Sequence, residues 1–460
     1  MRAAFLAAAL LLTSLPARAD VPLSEPIRRL QQLLKVPSIN PPGNEQACAD
    51  LIAGWLREEG IEPHVYAAVP GRPCVIARLN AGAAPDPAHA IMVMGHTDVV
   101  PVEVARWSQP PFAGAIVDGK LWGRGALDMK DLVVMELEAF IQLKRDHVKL
   151  NRDVIFCAVP DEEAGGAQGA RWLIANHRDE VQCEELLNEG GSGLASADGE
   201  PLMGIQVAER GTFWTRVTAT GKPGHGSQDR PDSAPRKLLR ALARLEAAPR
   251  HFELGPETGP MLAAMSGTQR GIKGLMLAAL ANPILMPLLA PTAVSKEPML
   301  GSMLSNTVNP NVMNVGQKVN VVPAEASVEI DIRILPGHTT TETMAWLKQT
   351  LADPELRIDV LQAQEPSRST PDGRIYRAMA AAAQAAYQGI AVAPIMTPGG
   401  ATDSAFFRPL GVKCYGCAPI LATAQQLASM HGDDEHITLE QMETGTGIVC
   451  DALKRAATSP

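Results

Sequence analysis

The stretch MVMGHTDVV, residues 92–100, decides the fold, because it carries an apolar strand-like run directly into a His-x-Asp turn. The stretch DVIFCAVPDEEAGG, residues 153–166, repeats this design and places two glutamates and two glycines after the apolar run. Between the two, apolar residues recur at helical spacing from residue 132 to residue 141. This alternation of strands and helices predicts an α/β domain with a mostly parallel central sheet.

Histidines and acids gather where such runs meet glycine-rich turns, and an open α/β sheet binds its ligands beyond the carboxyl ends of its strands. Each residue alone has an ordinary explanation, such as a helix N-cap or a solvated acidic turn. Taken together, five of them could hold two metal ions through one shared carboxylate, which predicts a metal-dependent hydrolase. The residues are His96, Asp98, Asp128 in GRGALDMK, Glu162, Glu163, Glu189 in LLNEGG and His431 in SMHGDDEHI.

The length and overall composition limit the classes of protein to which the chain can belong. The chain has 460 residues, a 46% hydrophobic fraction and a formal charge of −9. This length suits two or three domains, and the apolar content suffices for a packed core. No long basic run is present, so nucleic acid is not an expected partner.

The first residues have the form of a secretory signal. Arg2 precedes a short apolar region, and Ala17-Arg18-Ala19 has the small-x-small pattern of a cleavage site. We therefore expect residues 1–19 to be removed and the mature protein to be periplasmic or secreted. A buried N-terminal helix is the alternative.

Seven cysteines are present, and an odd number in a large chain implies no disulfide framework. Cys414 and Cys417 form a single CxxC. This pair is open to two interpretations, a local disulfide or two semi-buried strand cysteines. A structural zinc site is not expected, because a second CxxC is missing.

The spacing of apolar and polar residues changes near residue 205. Residues 211–220 alternate like a half-exposed strand, and residues 324–334 alternate strictly, which indicates an antiparallel sheet with one packed face. Helix–strand alternation of the first kind returns from about residue 350. The predicted organisation is a first catalytic part at 20–208, an inserted α+β domain at 209–345 and a second catalytic part at 346–460.

An apolar insert, at about residues 255–303, interrupts the inserted domain. Residues 274–295 carry no charge, yet Pro283, Pro287 and Pro291 would break a straight membrane-spanning helix. Three interpretations stay open: a membrane span, a buried helical hairpin, or an apolar lid over a substrate groove or a membrane surface. The last would suit hydrophobic substrates and permits membrane contact.

The motifs, read in order, resemble a known family. The sequence is similar to the di-zinc aminoacylase and carboxypeptidase metallopeptidases, which include acetylornithine deacetylase, succinyl-diaminopimelate desuccinylase and carboxypeptidase G. Within them it most resembles the subgroup of carboxypeptidase S and the secreted N-acyl-amino-acid hydrolase. The resemblance runs from about residue 25 to the C-terminus. It rests on GHTDVVP, WGRGALDMK, DEEAGG, NEGG, GHGS, NVVPAEASVEIDIRILPG, GGATDSAFF and HGDDEHI.

The resemblance implies a metal ligand at five positions. His96, Asp128 and Glu189 would bind one zinc ion, and Asp128, Glu163 and His431 would bind the second. Such ligands also accept cobalt or manganese.

The remaining roles follow from the same resemblance. Asp98 would orient His96, and Glu162 would be the general base. The peptide bond before Met129 would be cis, as it often is in the family. From the inserted domain, which in the family serves as lid and dimerisation domain, His225 would polarise the scissile carbonyl.

Three further residues would hold the substrate. Asn320 and Arg333 would bind it, the arginine through the free carboxylate that a planar guanidinium grips with two hydrogen bonds. Gly400 lies in a turn whose backbone N–H groups suit an anion.

The implied activity is hydrolysis of an amide bond next to a free carboxylate, which releases an amino acid from an N-acyl amino acid or a peptide. Two alternatives remain: a reversible synthase and hydrolase of fatty acyl amino acids, and a non-catalytic binding protein on the same scaffold. Family members often form homodimers, so a homodimer is a further expectation.

Overall fold

The computed structural model describes residues 22–82, 86, 88–196, 199–397 and 399–459. The predicted signal segment, residues 1–19, lies outside these ranges.

A nine-stranded sheet forms the centre of the catalytic part, in the order β1-β2-β6-β3-β7-β17-β8-β15, with β16 paired to β8. The four strands β6, β3, β7 and β17 are mutually parallel, which confirms the mostly parallel sheet. Apolar runs at residues 91–96 and 154–159 become fully buried strands here. The strands are β1 His64–Ala67, β2 Pro73–Leu79, β3 Ile91–His96, β6 Val154–Val159, β7 Glu185–Leu194, β8 Leu202–Glu209, β15 Ser367–Arg368, β16 Ala391–Thr397 and β17 Lys413–Ala422.

Helices cover both faces of this sheet and bury two separate apolar cores. A small sheet of β4 Ala115–Val117, β5 Lys120–Trp122 and β18 His436–Thr438 brings the C-terminal HGDDEHI motif beside the GRGALDMK motif. The helices are α1 Glu25–Leu34, α2 Gln46–Glu58, α3 Lys130–Arg145, α4 Ala170–Asn176, α5 Arg178–Val181, α12 Arg374–Ala386, α13 Ser404–Phe407, α14 Ala424–Leu427 and α15 Leu439–Thr458.

Helix α2 begins without a side-chain cap at its N-terminus. The N-cap position is Glu45, whose side chain makes no capping hydrogen bond. The Glu45 carboxylate instead binds the buried Arg72 guanidinium, at 2.7 Å and 2.9 Å.

Helix α3 departs from its expected amphipathic character. Every residue from 130 to 141 is buried, because α1 and α15 pack against the side that the sequence pattern leaves polar. Glu136 is thereby enclosed, and neither of its carboxylate oxygens has a hydrogen-bond partner among the described residues. Burial, with smaller contributions from Asp131 and Glu189, raises the pKa of Glu136 well above its ordinary value.

Replacement of Glu136 by leucine is expected to stabilise the protein by about 1–3 kcal/mol near neutral pH, because an unpaired polar group leaves the core. Because its pKa is higher in the folded than in the unfolded state, the folded protein binds more protons, and wild-type stability falls as pH rises above the unfolded pKa. The gain should therefore be larger at pH 8 than at pH 5, as measured by denaturant unfolding. A Glu136→Leu variant that is less stable at both pH values would contradict this account.

The inserted part contains an antiparallel sheet in the order β11-β13-β9-β14, with α6 and α11 on one face. Val328, Ile330, Ile332 and Ile334 are buried, as the strict alternation predicts. The predicted boundary at residue 345 falls inside α11, and the pairing of β14 with β9 favours a limit after residue 364. The elements are β9 Gly211–Thr220, β10 Gly224–His225, α6 Ala234–Glu246, β11 Thr307–Asn314, β12 Val321–Val322, β13 Glu325–Ile334, α11 Thr340–Leu351 and β14 Arg357–Gln364.

The apolar insert is a set of four short helices, α7 Thr258–Gly267, α8 Ile272–Leu280, α9 Met286–Lys296 and α10 Pro298–Leu304. They share a small core of their own, which supports the helical-hairpin interpretation for α8 and α9. None of the helices in the described ranges is long and apolar enough to span a membrane.

Cys414 and Cys417 are free thiols on β17 that face opposite sides of the sheet. Cys414 packs in one apolar core and Cys417 in the other, so the local disulfide does not form. Burial raises the pKa of each thiol to about 12.

Candidate metal centre

The central sheet brings four of the predicted residues to one place. His96 ends β3, the Glu162–Glu163 pair follows β6, and Glu189 lies on the neighbouring strand β7. Glu189 is not at a strand end as expected, since β7 continues to Leu194 past Gly190, whose φ is +113°.

Asp128 lies between two histidines. Its Oδ1 is 3.2 Å from His96 Nε2, and its Oδ2 is 3.0 Å from His431 Nε2. The peptide bond from Asp128 to Met129 is cis, as predicted. One carboxylate therefore faces two separate nitrogen ligands, which is the arrangement that a bridging ligand requires.

Three glutamates complete the cluster. Glu189 Oε1 lies 3.7 Å and Glu162 Oε2 lies 4.0 Å from His96 Nε2. On the other side, Glu163 Oε2 lies 3.3 Å from His431 Nε2.

Electrostatics favour a cation here. Burial raises the pKa of Glu189 to about 7 and that of Glu162 well above its ordinary value. Hydrogen bonds to Asp128 and Glu163 raise the pKa of His431 to about 10. Four carboxylates and two imidazoles thus share a confined space, in which a divalent ion would relieve the repulsion among the acids.

The residues present fit a divalent metal site. Ligand atoms of His96, Asp128 and Glu163 lie within 4.8 Å of one another, and so do those of His96, Glu162 and Glu189. Imidazole nitrogens and carboxylate oxygens are the donors that zinc, cobalt and manganese accept.

Asp98 supports the cluster in more than one way. His96 Nδ1 is 2.9 Å from the Asp98 backbone carbonyl and 3.5 Å from its carboxylate. The carboxylate accepts hydrogen bonds from the backbone N–H groups of Glu162 and Glu163, at 3.2 Å and 3.1 Å. It also accepts a hydrogen bond from Asn40, at 2.8 Å. Asp98 therefore fixes the glutamate turn as well as the histidine.

Glu435, in the motif HGDDEHI, is a supporting residue that local sequence patterns do not mark. Its carboxylate is fully buried and accepts hydrogen bonds from the backbone N–H groups of Gly125, Leu127 and Asp128. Arg124 pairs with it at 2.6 Å. These contacts hold the loop that presents Asp128.

A second buried network also could not be predicted from local sequence patterns. Arg72 joins Glu45 to Asp161, which precedes the paired glutamates and has a left-handed backbone with φ 76°. Asn40 lies within 3.3 Å of the same aspartate. No periodicity marks such residues, because their partners are 27 to 121 positions away in the chain.

His225 and Asn320 are brought together in the inserted domain, apart from the cluster. His225 pairs with Val321 across β10 and β12, and the Asn320 carbonyl accepts a hydrogen bond from Gly226, at 2.9 Å. Both side chains are exposed. Among the described residues, the imidazole of His225 hydrogen-bonds only with Ser227.

Arg333 links the inserted domain to the loop that contains Gly400. Its guanidinium donates to the Gly399 carbonyl at 3.1 Å and pairs with Asp331 at 2.8 Å. Helix α13 after this loop has only four residues, so its N-terminus contributes little to the binding of an anion.

Comparisons with known proteins place the chain among metallopeptidases and related hydrolases. The model of peptidase family M20/M25/M40 matches residues 92–455. Human N-fatty-acyl-amino acid synthase/hydrolase PM20D1 is 27% identical over 374 residues, which cover 80% of this chain and 74% of that protein. A probable carboxypeptidase S-like 2 from Dictyostelium discoideum is 28% identical and covers 76% of this chain and 68% of its own.

Among solved structures, an M20 family metallo-carboxypeptidase from Sulfolobus solfataricus, Sso-CP2, superposes with a TM-score of 0.69. The two chains are 18% identical, and the superposition covers 95% of this chain and 100% of the other. This similarity shows a shared fold.

Proposed function

The chain belongs to peptidase family M20/M25/M40, and from this membership we propose that it uses two zinc ions to hydrolyse an amide bond next to a free carboxylate. It is a metal-dependent hydrolase. The substrate is an N-acyl amino acid or a peptide, and the product is a free amino acid. Two relatives support this class by their names, a synthase/hydrolase of N-fatty-acyl amino acids and a carboxypeptidase S-like protein.

One observation carries the proposal: the two oxygens of Asp128 face two different histidines. His96, Asp128 and Glu189 would hold one ion, and Asp128, Glu163 and His431 the other. Cobalt or manganese would fit the same donors. When bound, the metal pair supplies Lewis-acid chemistry, namely polarisation of the amide carbonyl and activation of a water molecule.

Glu162 is the proposed general base. Its carboxylate lies 4.0 Å from His96 Nε2, beside the cluster, and the Asp98 carboxylate holds its backbone N–H at 3.2 Å. A carboxylate with a raised pKa can accept a proton from the attacking water and deliver it to the departing amine.

The inserted domain would supply the substrate contacts. We place His225 at the carbonyl oxygen and Asn320 beside it, which requires either closure of the domain or a second subunit of a homodimer. Arg333 would exchange its pairing with Asp331 for the substrate carboxylate, with Gly400 nearby. We further propose export through residues 1–19 to the periplasm or the outside of the cell.

Hydrolysis should therefore depend on the substrate carboxylate. We expect chelator-sensitive release of amino acid from N-acetyl, N-lauroyl or N-oleoyl amino acids or blocked dipeptides, restored by added zinc, and little release from their C-terminal amides. Replacement of Arg333 by alanine should raise KM by about 10- to 100-fold for the acid but not for the amide, since a charge-assisted pair is lost.

Arg216→Ala is the matched control, because Arg216 lies on the same sheet and pairs with Glu329, at 2.7 Å. Equal rates on acids and amides would overturn the carboxylate requirement. A faster net synthesis from fatty acid and amino acid would favour the synthase direction, and bound zinc without any turnover would favour a binding role.

A further inference from the structure

The hairpin of α8 and α9 turns large apolar side chains away from the protein. Ile272 and Leu275 on α8 are 85% and 72% exposed, and Ile284 and Leu288 at the turn and on α9 are 79% and 75% exposed. Clustered apolar exposure of this kind marks an interaction surface in a folded protein.

These side chains are not needed for packing of the insert. The opposite sides of both helices bury Leu277, Leu280, Met286 and Ala290 in a common core. The insert is also attached to the catalytic part, where Ile395 of β16 packs against that core. We call the outward side chains of Ile272, Leu275, Ile284 and Leu288 the apolar face. These side chains are therefore free to contact a partner.

Cations outnumber acids around the apolar face. Residues 258–296 contain Arg270, Lys273 and Lys296 but no aspartate or glutamate, although the whole chain has 50 acidic and 41 basic residues. Glu297, just outside the segment, lies 3.7 Å from Lys273. A local excess of cations in an acidic protein suits an anionic partner.

We propose that this hairpin binds the surface of a membrane that contains anionic phospholipid. Helices with an apolar face and flanking cations lie at the bilayer interface, with apolar side chains among the acyl chains and cations near the phosphates. Three prolines within residues 283–291 keep the segment short, which suits a position on the membrane rather than across it. The inference is independent of the function proposed for the metal centre.

A second copy of the chain is a less favourable partner for the apolar face than a membrane. In a twofold dimer the same patch meets itself, so the three cations would face the same three cations without an acid from residues 258–296 to pair with them. Phospholipid headgroups supply the missing negative charge.

The test is co-flotation of the full chain with vesicles of phosphatidylcholine, alone or mixed with phosphatidylglycerol. We expect binding to the mixed vesicles that weakens at high salt. The double variant Ile284→Ser with Leu288→Ser should reduce the partition coefficient at least about tenfold, because two large apolar side chains no longer leave water. Lys273→Gln with Lys296→Gln should reduce binding to the mixed vesicles only.

The control variant is Val360→Ser with Leu361→Ser, which removes two exposed apolar side chains from the edge strand β14. It should bind vesicles as the wild type does, and circular dichroism should show that all variants are folded. The proposal would be overturned if the wild type did not bind the mixed vesicles. It would also be overturned if the Ile284/Leu288 variant bound them as well as the wild type. A dimer that the Ile284/Leu288 variant abolishes, without vesicle binding, would identify a second copy as the occupant.

Discussion

Replacement of Glu162 by glutamine is expected to lower kcat by about 10²- to 10⁴-fold, the range that a positioned general base contributes. Glutamine keeps the size of the side chain but cannot accept the proton from water. Under the proposed ligand sets Glu162 holds no metal, so bound metal should remain at the wild-type ratio, as measured by atomic emission on the dialysed protein.

The control for this experiment is Glu103→Gln, which removes one exposed carboxylate away from the cluster. It should leave both kcat and metal content unchanged. If Glu162→Gln lost a metal ion together with activity, Glu162 would be a ligand and the assignment of roles between Glu162 and Glu163 would have to be exchanged. A rate near that of the wild type would remove Glu162 from the mechanism.

Replacement of Asp128 by alanine is expected to release both metal ions and to abolish turnover. Its two oxygens lie 3.2 Å and 3.0 Å from the two histidine nitrogens, so a single change removes a ligand from each proposed site. Loss of a direct ligand should weaken metal affinity by more than the roughly 10- to 100-fold that loss of a supporting residue causes. Metal content and the activity at saturating zinc are the measurements.

Glu189→Ala separates a bridging from a terminal ligand, because it should remove only the ion held with His96. The expected metal content is near zero for the Asp128 variant and near half of the wild-type content for the Glu189 variant. Equal loss in both variants would contradict the bridging role of Asp128. Asp433→Asn, in the same loop as His431 but paired with Arg106, should keep both ions.

Much of the fold follows from local patterns. The apolar runs at residues 154–159 and the alternation at residues 211–220 give strands with those bounds, since side-chain period and burial agree there. The burial of helix α3, in contrast, could not be predicted from its local pattern. Its polar residues indicate an exposed side, but α1 and α15 cover that side from distant parts of the chain.

The proximity of His96 to the Glu162–Glu163 pair could also be predicted, because both follow apolar strand-like runs and the ends of parallel strands meet at one edge of a sheet. The residues that hold the cluster in place could not. Asn40, Arg72 and Glu435 act through long-range hydrogen bonds, and a lone polar residue in a loop gives no periodic signal. The position of His225 relative to the cluster also lies beyond local patterns, because it depends on how the inserted domain is oriented.

The two thiols on opposite sides of β17 have a practical consequence. Attack on a soft electrophile requires the thiolate, and burial both shields these sulfurs and keeps them protonated near neutral pH. Alkylating reagents will then modify Cys414 and Cys417 only in molecules whose central sheet has opened. The extent of modification, measured by mass spectrometry, therefore reports the fraction of molecules in which that sheet has opened, without any added label.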